Sequence, residues 1–260
     1  MKTFCRTICL IVAFQFVSIP IRVSGGTVIQ QPRFGYTLTL PDGWEQMPIK
    51  IIEEQMKVVT AATDGQVAQH YDDGYQQSAG GQWFQYPYIL VQANEKGRVT
   101  EAQLGQMKSF RSALQKGADQ TEEKLSSVIS DMSLGETFYD TTNKCILIRF
   151  SMNVADIGEV KALTCGFLTQ KGLLLFHCYT RASEFDAQLP IFQSMLKTVA
   201  LSEELRYKSR LGDGISLALR RIGGSTLIGG IVGGLIGILF LLKKKAQSKK
   251  SQSIEPLPLP

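Results

Sequence analysis

The hydrophobic pattern in the middle of the chain predicts six β-strands. Alternating or short continuous apolar runs lie between turn residues such as Pro41, Asp42 and Gly43, and this arrangement is typical of strands. The predicted strands cover residues 34–40, 83–92, 134–140, 145–152, 159–169 and 173–180. Tight links join the last four strands, so we expect them to form an antiparallel meander.

Stripes of residues at helical spacing predict helices around these strands. One stripe follows Pro48, one follows Thr100 and one follows Pro190. The stripes contain Ile51, Ile52, Gln55, Met56 and Val59; Leu104, Met107, Phe110 and Leu114; and Phe192, Met195, Leu196 and Val199. A short helix is also predicted over residues 122–129, and the polar residues 63–81 are predicted to form a long loop. Helices packed on an antiparallel sheet predict the α+β class.

The first 25 residues have the pattern of a secretory signal peptide. Lys2 and Arg6 precede an apolar run over residues 8–17, which is too short to cross about 30 Å of hydrocarbon. Val23 and Gly25 supply small residues for cleavage after Gly25. We therefore expect export of the chain, with an uncleaved anchor as the alternative.

A second apolar stretch near the C-terminus predicts a transmembrane helix. Residues 222–242 carry no charge, and at 1.5 Å per residue they reach roughly 31 Å, one bilayer crossing. Lys and Arg are equally numerous on the two sides, so the signal peptide decides the orientation. We expect a single-pass protein of the cell membrane with residues 26–205 outside, a basic juxtamembrane segment over residues 206–221, and a cytoplasmic, Lys-rich, Pro-ended tail over residues 243–260.

Glycines recur at every fourth position within the predicted span. Gly229, Gly233 and Gly237 would lie on one helix face, where a second backbone can approach closely. The pattern predicts a homodimer formed through this face, although glycine is common in membrane spans in general.

The net charge of +5 at pH 7 belongs to the ends of the chain. Residues 26–205 hold 15 Lys and Arg against 21 Asp and Glu. A mildly acidic domain does not favour a polyanionic partner, so no nucleic acid is expected. The composition, 44% hydrophobic and 20% charged, is that of an ordinary globular domain.

Several segments resemble a known superfamily. The segment FGYTLTLPDGW over residues 34–44, the meander with its glycine hairpin, and the closing helix introduced at Pro190 are similar to the PsbP-like and DcrB-like α/β/α sandwiches. The segments HYDDGYQ and WFQYPYILVQ also resemble those of uncharacterised exported, membrane-tethered bacterial proteins. The resemblance covers roughly residues 30–200 and implies a binding or assembly role. It transfers no catalytic residue.

The sequence offers little catalytic chemistry. Two histidines, His70 and His177, are too few for a three-histidine zinc site. The cluster of His70, Asp72 and Asp73 is compatible with a hard-cation site or with an ordinary polar turn. Motifs for a nucleophile elbow, a phosphate loop, a zinc helix or a Cys-x-x-Cys pair are absent from the sequence. We therefore expect no catalytic residue, no metal and no cofactor.

Aromatic residues are concentrated between residues 70 and 90. They are compatible with a packed core or with a docking ledge, since Tyr and Trp are favoured where a partner binds. The predicted binding surface consists of His70, Tyr71, Asp72, Asp73, Tyr75 and Trp83.

The hairpin between the last two predicted strands places two cysteines together. If Lys171 and Gly172 form a two-residue loop, Cys165 lies directly opposite Cys178. In an oxidising compartment this pair can form a disulfide and leave Cys145 free, or it can stay reduced as a packed pair.

Together these features predict a membrane-anchored extracytoplasmic binding or assembly module that is not an enzyme. Its expected partners are the membrane, a second copy of the chain and an unknown protein. Two alternatives stay open. One is a domain that binds a small ligand or a lipid, and the other is a metal-dependent envelope hydrolase that uses residues 70–73.

Overall fold

Strands with alternating burial form the centre of the domain. The computed structural model describes residues 26–65, 67–95, 97–104, 107–210 and 213. The strands are β1 (Thr27–Gln31), β2 (Tyr36–Leu40), β3 (Trp44–Gln46), β4 (Asp73–Gln77), β5 (Tyr88–Asn94), β6 (Ile129–Asp140), β7 (Cys145–Val154), β8 (Gly158–Leu168), β9 (Leu173–Arg181) and β10 (Ala200–Leu201). Within the described ranges they form a main sheet of order β3-β4-β5-β9-β8-β7-β6 and a small sheet of order β1-β2-β10.

Both faces of the main sheet are covered. The helices are α1 (Ile49–Ala62), α2 (Glu101–Leu104), α3 (Met107–Lys124) and α4 (Phe185–Lys197). Helices α1, α2 and α3 bury residues such as Ile52 and Leu114 on one face. The small sheet and α4 bury Leu38, Phe192 and Met195 on the other face. Every neighbouring strand pair in both sheets is antiparallel, which confirms the predicted α+β architecture of helices packed on an antiparallel sheet.

The predicted meander corresponds to β6, β7, β8 and β9, and its pairing is confirmed. Three other expectations are corrected. Strand β4 lies within the predicted loop over residues 63–81, and the aromatic strand begins at Tyr88 rather than at Trp83. The short helix predicted over residues 122–129 does not form as a separate element, because α3 continues to Lys124 and β6 begins at Ile129.

The predicted opposition of Cys165 and Cys178 is wrong. Cys165 lies opposite Phe176, and Cys178 lies opposite Leu163. The turn closes one residue earlier than expected. The Thr169 hydroxyl accepts hydrogen bonds from the backbone N–H groups of Lys171 and Gly172, at 3.2 and 2.9 Å, and these bonds fix the turn. The three cysteines of the described part of the chain, Cys145, Cys165 and Cys178, are free and buried.

Several sequence-based expectations lie outside the described residues. These are the signal peptide over residues 1–25, the transmembrane helix over residues 222–242 with Gly229, Gly233 and Gly237, and the tail over residues 243–260. Among the described residues, no helix combines the length and the apolar character needed to cross a membrane.

Candidate binding groove

The segment over residues 70–75 is divided between the two faces of the main sheet. Tyr71 packs into the core under α1 and α3, whereas Tyr75 packs into the core under the small sheet and α4. Both side chains are buried, with exposed fractions of 1% and 0%. Tyr71 lies before the first residue of β4 and Tyr75 lies within it, so the regular alternation of the strand does not relate the two side chains.

The His70 imidazole contacts the Asp72 carboxylate at the surface of the α1 side. His70 Nε2 lies 3.1 Å from Asp72 Oδ1, and the His70 side chain is 65% exposed. Asp72 Oδ2 accepts a hydrogen bond from the backbone N–H of Ala93 at 2.7 Å. The carboxylate therefore fixes the imidazole relative to β5.

Asp73 lies at the centre of a buried hydrogen-bonded group, which we call the Asp73 cluster (Gln31, Tyr36, Gln46, Asp73 and Tyr75). Its Oδ2 accepts hydrogen bonds from Gln31 Nε2 at 2.6 Å, from the Tyr36 hydroxyl at 2.7 Å and from the Tyr75 hydroxyl at 2.5 Å. Its Oδ1 accepts hydrogen bonds at 2.9 Å from Gln46 Nε2 and from the backbone N–H of the following glycine. These five donors replace the water that burial removes.

The two phenols of the Asp73 cluster stay protonated. Burial, together with the neighbouring carboxylate, raises the pKa of Tyr75 far above its usual range, and burial and Tyr75 do the same for Tyr36. Both hydroxyls can therefore act as donors at any physiological pH. Because Gln31 and Tyr36 belong to the small sheet and Asp73 to the main sheet, the cluster joins the two sheets.

A groove of 620 Å³ lies between α1 and the segment before β4. We call it the α1 groove, and its lining consists of Ile52, Glu53, Met56, Lys57, Thr60, Ala61, Gln69, His70 and Tyr71. Ile52, Met56 and Tyr71 are buried and form an apolar floor, while Glu53 and Lys57 are exposed at the rim. Its size is within the range of small-molecule sites, and its apolar floor with a polar rim suits a ligand or a peptide.

The wall of the α1 groove that faces helix α1 contains backbone N–H groups that lie outside the β-ladders. Gln69 and His70 line this wall, and their backbone N–H groups make no backbone hydrogen bond to another described residue. The His70 carbonyl accepts a hydrogen bond from Gln92 Nε2 at 3.0 Å, which holds this wall against β5. Backbone N–H groups outside a β-ladder can pair with an extended segment of another chain.

A buried histidine lies behind the floor of the groove. The His177 ring makes an edge contact with Tyr71 at 6.2 Å and stacks on Tyr179 at 6.3 Å, measured between ring centroids. Its Nδ1 lies 3.0 Å from the Thr164 hydroxyl, while its Nε2 is buried with no hydrogen-bond partner among the described residues. Burial lowers the pKa of His177 to about 3, so the ring is neutral.

The six residues predicted as one binding surface do not share a surface. Asp73 and Tyr75 belong to the interior on the small-sheet side, and Trp83 packs half-buried against the other core. Of the six, His70 and Tyr71 line the α1 groove. Asp73 cannot act with His70 on a shared metal or substrate, because its oxygens are occupied by the Asp73 cluster. Within the described ranges, no group of three or more His, Cys, Asp or Glu residues is placed to hold a metal ion.

Sequence reasoning missed most members of both sites. Thr60 and Ala61 belong to the helix that the pattern of residues 51–59 predicts, but their position beside Gln69 depends on how the intervening chain turns. Gln31, Tyr36 and Gln46 are separated from Asp73 by 27 to 42 residues, and no local motif connects them.

Comparisons with known proteins give distant structural likenesses. No family model and no curated protein sequence matches the chain. Among solved structures, the chain is similar to cyanobacterial PsbP (CyanoP) from Synechocystis, with 11% identity and a TM-score of 0.46 over 67% of this chain and 91% of that one. It is also similar to the Ran-binding protein Mog1p of Saccharomyces cerevisiae, with 10% identity and a TM-score of 0.39 over 68% of this chain and 95% of that one.

Proposed function

We propose that the chain is a membrane-tethered, extracytoplasmic binding module that holds an extended segment of a partner protein in the α1 groove. The observation that carries the proposal is the pairing of an apolar floor with the wall at Gln69 and His70, whose backbone N–H groups make no backbone hydrogen bond to another described residue. Apolar side chains of the partner would occupy the floor formed by Ile52, Met56 and Tyr71. Its backbone carbonyls would accept hydrogen bonds from the wall, as in β-strand addition. The proposal assigns no catalytic step to the chain.

The tether is proposed from the sequence. Residues 222–242 form one uncharged stretch of bilayer length, and the N-terminal signal pattern directs residues 26–205 outside. A binding module held at the outer membrane surface would act at a high local concentration on partners in the same membrane.

A bulky cation at the mouth of the groove is expected to block the partner. We expect a photoreactive residue at position 57, on the rim, to give a defined crosslinked adduct in membranes that contain the full chain. Ala61→Arg should lower the yield of this adduct about tenfold or more, because the new side chain occupies the groove. Ala61 is exposed, so the substitution should leave the unfolding transition almost unchanged.

The matched control is Val58→Arg. Val58 lies on the same helix, is 43% exposed and does not line the groove. This variant should keep the wild-type adduct yield. Peptide mapping of the adduct should locate the crosslink in an extended segment of the partner. Equal adduct yields from wild type and Ala61→Arg would contradict the assignment of the groove.

The tether gives a separate expected result. The mature N-terminus should lie near Gly26, and protease added outside spheroplasts should digest residues 26–205 while the tail over residues 243–260 stays protected. Mass spectrometry of the undigested chain locates the mature N-terminus, and mass spectrometry of the protected fragment locates the boundary of protection. Protection of residues 26–205 would show that the orientation is reversed, without affecting the groove.

A further inference from the structure

A second cavity lies at the end of the domain where the chain leaves it. The cavity has a volume of 240 Å³ and is formed by the β1–β2 turn, the end of β5, the β8–β9 turn and residues 202–205. We call it the exit cavity. Leu173 and Leu174 belong to its lining and are 5% and 2% exposed, while Arg33, Glu95, Lys171 and Glu204 supply its charges.

Backbone contacts hold the walls of the exit cavity together. The N–H of Ser202 donates to the carbonyl of Gly35 at 2.8 Å, and the N–H of Gln170 donates to the carbonyl of Leu205 at 3.0 Å. Gly35 has a φ of +61°, and a Cβ at this position would lie 2.6 Å from a Leu205 methyl group. Three of the four segments are therefore fastened to one another before any ligand binds.

The charged groups of the exit cavity have both signs. Lys171 Nζ lies 3.5 Å from Glu95 Oε1, and both side chains are more than half exposed. The Arg33 guanidinium lies 5.1 Å above the Phe34 ring and thereby covers one face of it. Hydrogen bonds from its own backbone N–H and from Ser202 lower the pKa of Glu204, which is therefore a carboxylate. Two cations and two carboxylates around buried leucines match a ligand that is itself zwitterionic.

The last described residue of the chain, Asp213, lies at the end of the domain that holds the exit cavity. Asp213 forms an ion pair with Arg98. Arg98 is three residues along the chain from Glu95, which lines the cavity. Residues 214–221 separate Asp213 from the uncharged stretch, and eight extended residues reach at most about 28 Å. The cavity is therefore within reach of the lipid headgroups if the tether exists.

We propose that the exit cavity binds the headgroup of phosphatidylethanolamine from the bilayer that holds the chain. Arg33 and Lys171 would bind the phosphate, and Glu95 and Glu204 would accept hydrogen bonds from the primary ammonium. A choline headgroup fits less well, because it offers no N–H donor and its recognition requires open aromatic faces. The inference rests on the proposed tether and goes beyond the proposed protein partner of the α1 groove.

The experiment uses the full chain in nanodiscs of phosphatidylcholine, titrated with short-chain dihexanoyl lipids. Dihexanoyl phosphatidylethanolamine is expected to slow amide hydrogen exchange in residues 169–174 and 202–206. The corresponding phosphatidylcholine, phosphatidylglycerol and inorganic phosphate should have little effect at the same concentration. The double variant Arg33→Gln/Lys171→Gln should weaken the effect of phosphatidylethanolamine about tenfold or more, since it removes both phosphate ligands.

The matched control is the double variant Arg206→Gln/Lys208→Gln, which removes the same charge from the same end of the domain. Arg206 and Lys208 pair with Glu203 and do not line the exit cavity, so binding should stay within about twofold of wild type. Equal protection by all the lipids, or equal weakening by both double variants, would overturn the proposal. If the protease test shows no membrane insertion, the same lipid titration in detergent still measures binding of phosphatidylethanolamine to the exit cavity. Failure of the proposed tether is therefore distinguishable from failure of the proposed headgroup site.

Discussion

Replacing Asp73 with alanine is expected to lower the free energy of unfolding by about 3–5 kcal/mol. The substitution removes the acceptor of five hydrogen bonds and leaves the buried hydroxyls of Tyr36 and Tyr75 without their carboxylate partner. Denaturant titration of the full chain in detergent, followed by the fluorescence of Trp44 and Trp83, measures the loss. For a domain of ordinary stability, a loss of this size removes a large share of the total.

Two controls separate the Asp73 cluster from a general effect of losing a carboxylate. Asp119→Ala removes an exposed acid from α3 and should change the unfolding free energy by no more than about 0.5 kcal/mol. Tyr75→Phe removes one donor and should cost about 1 kcal/mol, because Asp73 keeps four others. A loss for Asp73→Ala as small as that for Asp119→Ala would show that the cluster does not stabilise the fold.

The Asp73 cluster also explains how a polar strand comes to lie inside the domain. Strand β4 has the sequence DGYQQ and is buried at its first four positions. Gln76 donates a hydrogen bond to the Gln82 carbonyl at 2.6 Å, and Asp73 receives its five donors from three parts of the chain. The Asp73 carboxylate and the Gln76 amide nitrogen can be buried here because tertiary partners satisfy them.

The dependence of β4 on distant hydrogen-bond partners shows why the sequence predicts some elements and not others. Strands β6 to β9 carry their own signal, since apolar positions and turn residues mark both burial and pairing. Strand β4 has no such signal, because its burial depends on donors such as Gln31 and Tyr36, which are distant in sequence. A pattern of polar and glycine residues therefore indicates a loop at residues 63–81, although part of it is a strand next to the sheet edge.

Residue types alone also do not predict the pairing register of β8 and β9. The pair Lys171 and Gly172 matches a hairpin loop by composition, but the Thr169 hydroxyl fixes the turn one residue earlier. Gly172 instead lies against the backbone of β5, where a Cβ would be 1.9 Å from the Asn94 carbonyl oxygen. Position 172 requires glycine because of this close approach to β5 and not because of the turn.

The α1 groove is likewise assembled by tertiary contacts that the sequence does not predict. The sequence drew attention to His70 and Tyr71 through their residue types, and both line the groove. It grouped them with Asp73 and Tyr75 by proximity along the chain, whereas His70 and Tyr71 precede β4 and the side chains of Asp73 and Tyr75 are buried on the side of the small sheet. The partner wall of the groove, helix α1, was predicted as a helix, but its contact with residues 69–71 is a tertiary property.

Acid is expected to destabilise the domain through His177. Burial lowers the pKa of this histidine from 6.5 to about 3, so the folded domain keeps the ring neutral while the unfolded chain protonates it below about pH 6.5. The contribution of the neutral ring is fully present above that pH and is lost as the pH falls toward 3. At about 1.4 kcal/mol per pH unit, the free energy of unfolding should decrease by about 2 kcal/mol between pH 7 and pH 5 and by about 4 kcal/mol by pH 3.

The variant His177→Gln isolates this effect, because an amide can still hydrogen-bond to Thr164 but does not titrate. Wild type and variant unfolded in denaturant at pH 7, 6 and 5 should differ progressively, and the variant should lose about 2 kcal/mol less than wild type by pH 5. Carboxylates that protonate in the same range cancel in this difference. Parallel pH profiles for wild type and His177→Gln would show that the buried ring does not couple folding to protons.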